Sequence, residues 1–194
     1  MNFRAFSLLT LSVALTGCII FDKKSEAVTF HQFSAPLASP TEKTAPLFIP
    51  RVKLPAALRR PTLVLIDEAG NVQLEDSQRW AAPLDLAIAE NLGQHLVKNT
   101  GRVVSNRAPP GDHLVVLIDI DQFGINHGNA ILQMHFRVES DAGRLLAEGQ
   151  GAWNSPKAEK PADFVRAQSE NLAKAAVIIG KVVAPLTTTS GANR

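Results

Sequence analysis

The sequence predicts one domain of α/β or α+β class, built on a mostly antiparallel sheet with two main helices. Alternating apolar and polar residues mark three consecutive strand-like segments at 113–122, 130–139 and 144–153. Two longer segments, 84–97 and 162–183, instead place apolar residues at helical spacing. No internal repeat divides the chain, and its length suits a single sizeable core.

The chain opens on Met1-Asn2-Phe3-Arg4, a short start with one positive charge, and continues through an uncharged, mostly apolar run over 5–15. That run has the length of a signal-peptide core and is too short to span a bilayer. It closes on Leu15-Thr16-Gly17-Cys18, which resembles the bacterial lipobox: a leucine, two small residues, then cysteine. Small residues pass a narrow protease site, and the thiol must sit at the membrane surface where a diacylglyceryl group reaches it. Residues 1–17 are therefore expected to be a cleaved lipoprotein signal, cut between Gly17 and Cys18. Cys18 is the only cysteine, so no internal disulfide can form, and a leftover thiol in a secreted chain needs a use. Lipidation supplies one, because two or more acyl chains anchor stably through their buried methylenes. The covalent acyl lipid on Cys18 is the one prosthetic group expected. Ile19, not aspartate, follows it, and by resemblance to enterobacterial lipoproteins this favours the periplasmic face of the outer membrane.

Residues 18–27 read as a lipidated polar tether, and 28–185 as the domain. Val28-Thr29-Phe30-His31-Gln32-Phe33 alternates like a first strand, and 34–46, rich in Ala, Pro, Ser and Thr, reads as an extended loop. The segment 47–54 is strand-like but broken by Pro50, which suggests an edge position or a bulge. A turn over 55–61, with one helical turn inside it, leads to a β-branched run at 62–67. Glu68-Ala69-Gly70-Asn71 supplies turn chemistry before the alternating 72–75, so a hairpin is expected.

In the first helix Pro83 suits the first turn and Asp85 complements the dipole, while Ile88, Leu92 and Leu96 share a face. A short strand at 102–105 and the turn Ala108-Pro109-Pro110-Gly111 precede the three clear strands. In the first of these, Leu114, Val116, Ile118 and Ile120 point one way and Asp119 and Asp121 the other. In the second, Leu132, Met134, Phe136 and Val138 oppose Gln133, His135, Arg137 and Glu139, with 124–128 read as the loop between them. Asp141-Ala142-Gly143 turns into the third. Such one-sided strands mean a sheet with one face against a core. Phe164, Gln168, Leu172, Ala175, Ile179 and Val182 form the stripe of the second helix, which should cover that sheet. Residues 186–194 are expected to be a disordered tail.

Little in the composition suggests catalysis or nucleic-acid binding. The net charge of +2 includes Arg4, which leaves +1 on the mature chain and makes no electrostatic case for nucleic acid. None of His31, His95, His113, His127 and His135 forms an HxxxH or HExxH pair, and an acylated Cys18 offers no thiolate to zinc. Asp119 and Asp121 share a strand face and could hold a cation, but cross-strand pairing with His135 and Arg137 is the stronger reading. Arg79-Trp80 is the candidate partner contact, since both types are enriched at interface hot spots. Against it stands a packing role, with Trp80 filling the gap between hairpin and first helix. Trp153 reads as a core or rim residue, and Arg59-Arg60 as a solvated turn. The chain is expected not to be an enzyme.

Four stretches carry a family resemblance. They are Leu54-Pro55-Ala56-Ala57-Leu58-Arg59-Arg60-Pro61, Glu75-Asp76-Ser77-Gln78-Arg79-Trp80-Ala81-Ala82-Pro83-Leu84, Asp119-Ile120-Asp121-Gln122-Phe123 and Ala167-Gln168-Ser169-Glu170-Asn171-Leu172-Ala173. In this order behind a lipobox, the chain resembles the auxiliary lipoproteins of ABC-type transport systems, the PqiC-like group. It departs from them at Val28-Thr29-Phe30-His31, where members often carry tyrosines. The resemblance implies a three-layer α/β fold, similar to the anticodon-binding-like arrangement at the N-terminus of TolB, with a mixed sheet and helices on both faces. It also implies an MCE-domain lipid-transport protein as partner, reached from a lipid-anchored position, and self-association into a ring would fit such a partner. Two other roles remain open to the residues: a carrier that encloses a lipid or small ligand in an internal cavity, and a TolB-like envelope scaffold.

Overall fold

The computed structural model describes residues 27–67, 69–156, 158 and 160–187; Gly17, Cys18 and the rest of 1–26, like 188–194, lie outside them. In chain order the elements are β1 (Thr29–His31), β2 (Leu47–Phe48), a 3-10 turn (Ala56–Leu58), β3 (Thr62–Ile66), β4 (Val72–Trp80) and α1 (Leu84–Thr100). They continue with β5 (Val104–Ser105), β6 (Leu114–Asn126), β7 (Asn129–Ser140), β8 (Leu145–Ser155) and α2 (Pro161–Val183).

The strands form two mixed sheets. The smaller has the order β1-β4-β3 and the larger β5-β2-β6-β7-β8. The expected hairpins are present: β3 pairs antiparallel with β4, β6 with β7, and β7 with β8. A mostly antiparallel single sheet is not what forms, because β1 runs parallel to β4, and β2 parallel to both β5 and β6. The segments 28–33, 47–54 and 102–105 do supply these strands, but alternation carries no information on which strand pairs with which or in what direction. Because it pairs with β5 on one side and β6 on the other, β2 is an internal strand of the larger sheet and not an edge. Pro50 falls just past its end, where no ladder donor is required.

The mixed α/β class therefore stands, but the layering differs from helices on both faces. The helices pack on each other, α2 across β7 and β8 and α1 against β5. They cover the side of the larger sheet that carries Leu114, Val116, Met134 and Phe136, all at most 1% exposed. The opposite side of β6 and β7 presents Asp119, His135, Arg137 and Glu139, charges that have no business in a dry layer. The extended segment 34–46 runs along the helices. Ser34 donates its N–H to Ser169 on α2 and accepts from Asn91 on α1, and the Thr41 and Glu42 N–H groups both donate to Gly101 O.

Gly101 ends α1 in the left-handed region, at φ +69°, and returns its N–H to Val97 O at 2.8 Å. Two local features set the long β6–β7 hairpin. Residues 124–126, read from sequence as loop, belong to β6, and the turn is only His127-Gly128, both at positive φ as a two-residue primed turn requires. The register slips between Ile120 and Gln122, so Asp121 is the extra residue of a bulge. That slip reverses the alternation, and Phe123, 1% exposed, enters the core in place of Gln122. Leu186, assigned to the tail by sequence, packs against the core, and Arg102 donates to its carbonyl at 2.7 Å.

Candidate functional site

Two of the four resemblance-bearing stretches, 54–61 and 75–84, meet in space. Pro55 starts the 3-10 turn, which closes through Leu58 N–H to Pro55 O at 3.0 Å and Arg59 N–H to Ala56 O at 3.2 Å. The turn buries Leu58 and leaves Arg59 and Arg60 at the surface. Arg59 Nε reaches back to Leu54 O at 3.1 Å, which holds its side chain over the turn. Pro61 O then accepts from Trp80 N–H at 2.8 Å, tying this stretch to the end of β4. Beyond Trp80 the chain turns through Ala81-Ala82-Pro83 into α1, whose first turn carries Asp85.

Between them lies a cavity of about 440 Å³ that opens to solvent. Leu54, Leu58, Trp80 and Leu84, each at most 5% exposed, form its apolar wall. Arg51, Arg59 and Arg60 stand on its rim with Asp85, which accepts from Arg51 Nη1 at 3.3 Å. Reading Arg59-Arg60 as a solvated turn captured their exposure but not this rim. Sequence reasoning missed Arg51, since no local pattern connects it to Leu84, 33 positions further on.

Arg79 and Trp80, adjacent in sequence, do not share a surface. Successive residues of a strand face opposite ways, so Trp80 turns inward while Arg79 is exposed beside Phe30 of β1. The Trp80 ring lies 5.0 Å from Phe33 and 6.4 Å from Phe123, and Phe123 meets Phe164 edge-on at 5.5 Å. This aromatic chain joins both sheets to α2 and fixes the back of the cavity.

On the outer face of the larger sheet, His135 lies between two carboxylates, with Nε2 3.2 Å from Asp119 and Nδ1 3.1 Å from Asp121. Lys53 stands 3.2 Å from Asp119, whereas Arg137 turns to Glu139 at 3.5 Å. Cross-strand pairing thus involves His135 but not Arg137, and among the described residues no group of three or more His, Cys, Asp or Glu side chains is arranged to hold a metal. A second open groove, of about 630 Å³, follows α1 past Asn91 and Gln94 towards Val104. One turn from Asn91, burial and then the charge of Lys98 push the His95 imidazole below its ordinary pKa, against the Ser34 carbonyl.

Comparison with known proteins adds the following. The model of a family described as ABC-type transport auxiliary lipoprotein component matches residues 31–180. A crystal structure of an uncharacterized protein superposes with a TM-score of 0.68 at 17% identity, covering 81% of this chain and 99% of its own. Protein XCC0632 from Xanthomonas campestris superposes with a TM-score of 0.63 at 13% identity, covering 80% and 96%. At such identities the two structures establish a shared fold. No curated protein matches the sequence.

Proposed function

The chain belongs to the family of ABC-type transport auxiliary lipoprotein components, and from that membership we propose that it is a non-enzymatic accessory lipoprotein of an MCE-type lipid transport system. The family match over most of the chain carries this reading. Acyl chains on Cys18 hold one end at the periplasmic face of the outer membrane, and the domain docks the periplasm-spanning MCE protein there, in support of envelope integrity. Confinement to a membrane raises the effective concentration of the domain, so a modest interface suffices. Arg79, exposed beside Phe30, a residue that is itself 64% exposed, is the part of the predicted contact pair available to such a partner. Self-association into a ring suits a tubular partner.

The test is affinity recovery of the full-length lipoprotein from cross-linked native membranes, with Cys18→Ala as control. Recovery of an MCE-domain protein with the wild type, reduced or lost with the control, supports both the partner and the tether. If no such protein is recovered from intact membranes, the docking reading fails.

A further inference from the structure

We propose that the cavity between 51–61 and 80–85 binds an anionic amphiphile. Its carboxylate or phosphate head is held by Arg51, Arg59 and Arg60, and its alkyl part lies against Leu58, Trp80 and Leu84. This site does not depend on the docking reading, since neither Cys18 nor Arg79 takes part.

Three observations converge on this ligand class. The cavity, about 440 Å³, falls within the size range of small-molecule sites. Below the charged rim its wall is apolar: Leu54, Leu58, Pro61 and Leu84 offer no side-chain hydrogen bonds, and they suit an alkyl chain. Its rim gathers three guanidinium groups against a single carboxylate. Arg51 is committed to Asp85 and the Nε of Arg59 to Leu54 O, but Arg60 has no hydrogen bond or ion pair among the described residues. Guanidinium groups offer paired donors whose geometry matches carboxylate and phosphate oxygens. Positive charge above an apolar hollow is the complement of an anionic head on a hydrocarbon chain, and unlike that of a neutral lipid or a free inorganic ion.

Dodecyl phosphate, kept below its micelle-forming concentration, is the probe. The protein is the full-length chain carrying Cys18→Ala, which removes the lipid acceptor, and Trp153→Phe, which leaves Trp80 as the only tryptophan. Calorimetric titration gives the affinity and Trp80 emission the location. Saturable binding that shifts Trp80 emission is expected. Arg60→Gln should weaken it about tenfold, the loss of one charge-assisted contact, while Arg79→Gln on the opposite strand face leaves it unchanged. Dodecanol and inorganic phosphate should each bind at least about tenfold more weakly than the probe. Phosphatidylglycerol vesicles added as competitor identify the source: displacement means that the head is reached from a bilayer, and no displacement that the ligand arrives free, and both support the site. Absence of saturable binding overturns it. So does binding without a Trp80 response, equal binding of dodecanol, or undiminished binding by an Arg51→Gln/Arg60→Gln variant that circular dichroism shows to be folded.

Discussion

Ser155 at the end of β8 donates its Oγ hydrogen to Asn171 Oδ1 on α2 at 2.9 Å, with both residues fully buried. The Asn171 amide also donates to Ala130 O at 2.9 Å, and Gln168 Nε2 to Ile131 O at 2.9 Å. Two polar side chains of one helix thus clamp the start of β7, and they belong to the stretch 167–173 that carries part of the family resemblance. Removing Asn171 takes its amide donor from the Ala130 carbonyl and Gln168 Oε1, and the acceptor from the Ser155 hydroxyl, which among the described residues keeps only Lys174 Nζ at 2.9 Å. Asn171→Ala is expected to cost about 3 kcal/mol, measured as a shift of the urea unfolding midpoint at unchanged slope. A loss below about 1 kcal/mol would mean the clamp is dispensable.

Trp80 and Arg79 separate stability from surface. Trp80→Ala should destabilise by about 3–5 kcal/mol, because it empties the contact with Phe33 and Phe123. Arg79→Ala should stay within about 0.5 kcal/mol of wild type. The same urea series checks both, and comparable losses would show that Arg79 has a packing role. With its fold intact, Arg79→Ala is then the cleaner variant for the membrane recovery experiment.

Gly101 and Gly143 both sit at positive φ but differ in surroundings. A Cβ on Gly101 would come within 2.5 Å of Thr41 Oγ1, whereas one on Gly143 meets open space. Gly143→Ala should cost about 1 kcal/mol, from backbone strain alone, and Gly101→Ala more, since segment 34–46 must also yield. Thermal unfolding of the two variants side by side tests this, and equal melting temperatures would contradict it.

His95 couples stability to pH. Its folded pKa is lowered, by burial first and by Lys98 second, so the unfolded chain binds the proton more readily. Its neutral form is favoured in the fold, so stability is fully present above the unfolded value of about 6.5 and falls as pH drops below it towards the folded value. The urea midpoint of the wild type should decline from pH 7.5 to pH 5. His95→Gln should flatten the part of that decline just below about pH 6.5; an unchanged slope would assign the dependence to other groups.

Long elements were legible because their periodicity repeats several times. Leu114, Val116, Ile118 and Ile120 announce β6, and the stripe from Phe164 to Val182 announces α2. Strands β1, β2 and β5 fall within segments read as strands, but their parallel pairing was not legible, since it comes from partners far away in sequence. The bulge at Asp121 is also invisible locally: alternation predicts Gln122 inward, and only the space between β3 and α2 selects Phe123. Gly124 has the same origin, because any side chain there would strike the Ile66 carbonyl.

Taken alone, the order of residues determined the α/β class, the two helices and the polar and apolar faces of the long strands, because these depend on chemistry within a few neighbouring positions. Tertiary structure decided that both helices lie on one face, that Trp80 points inward while Arg79 points out, and that Arg51, Arg59 and Arg60 ring an apolar cavity. Those outcomes depend on which distant segments fill the same volume, and that is set by burial and packing across the whole core.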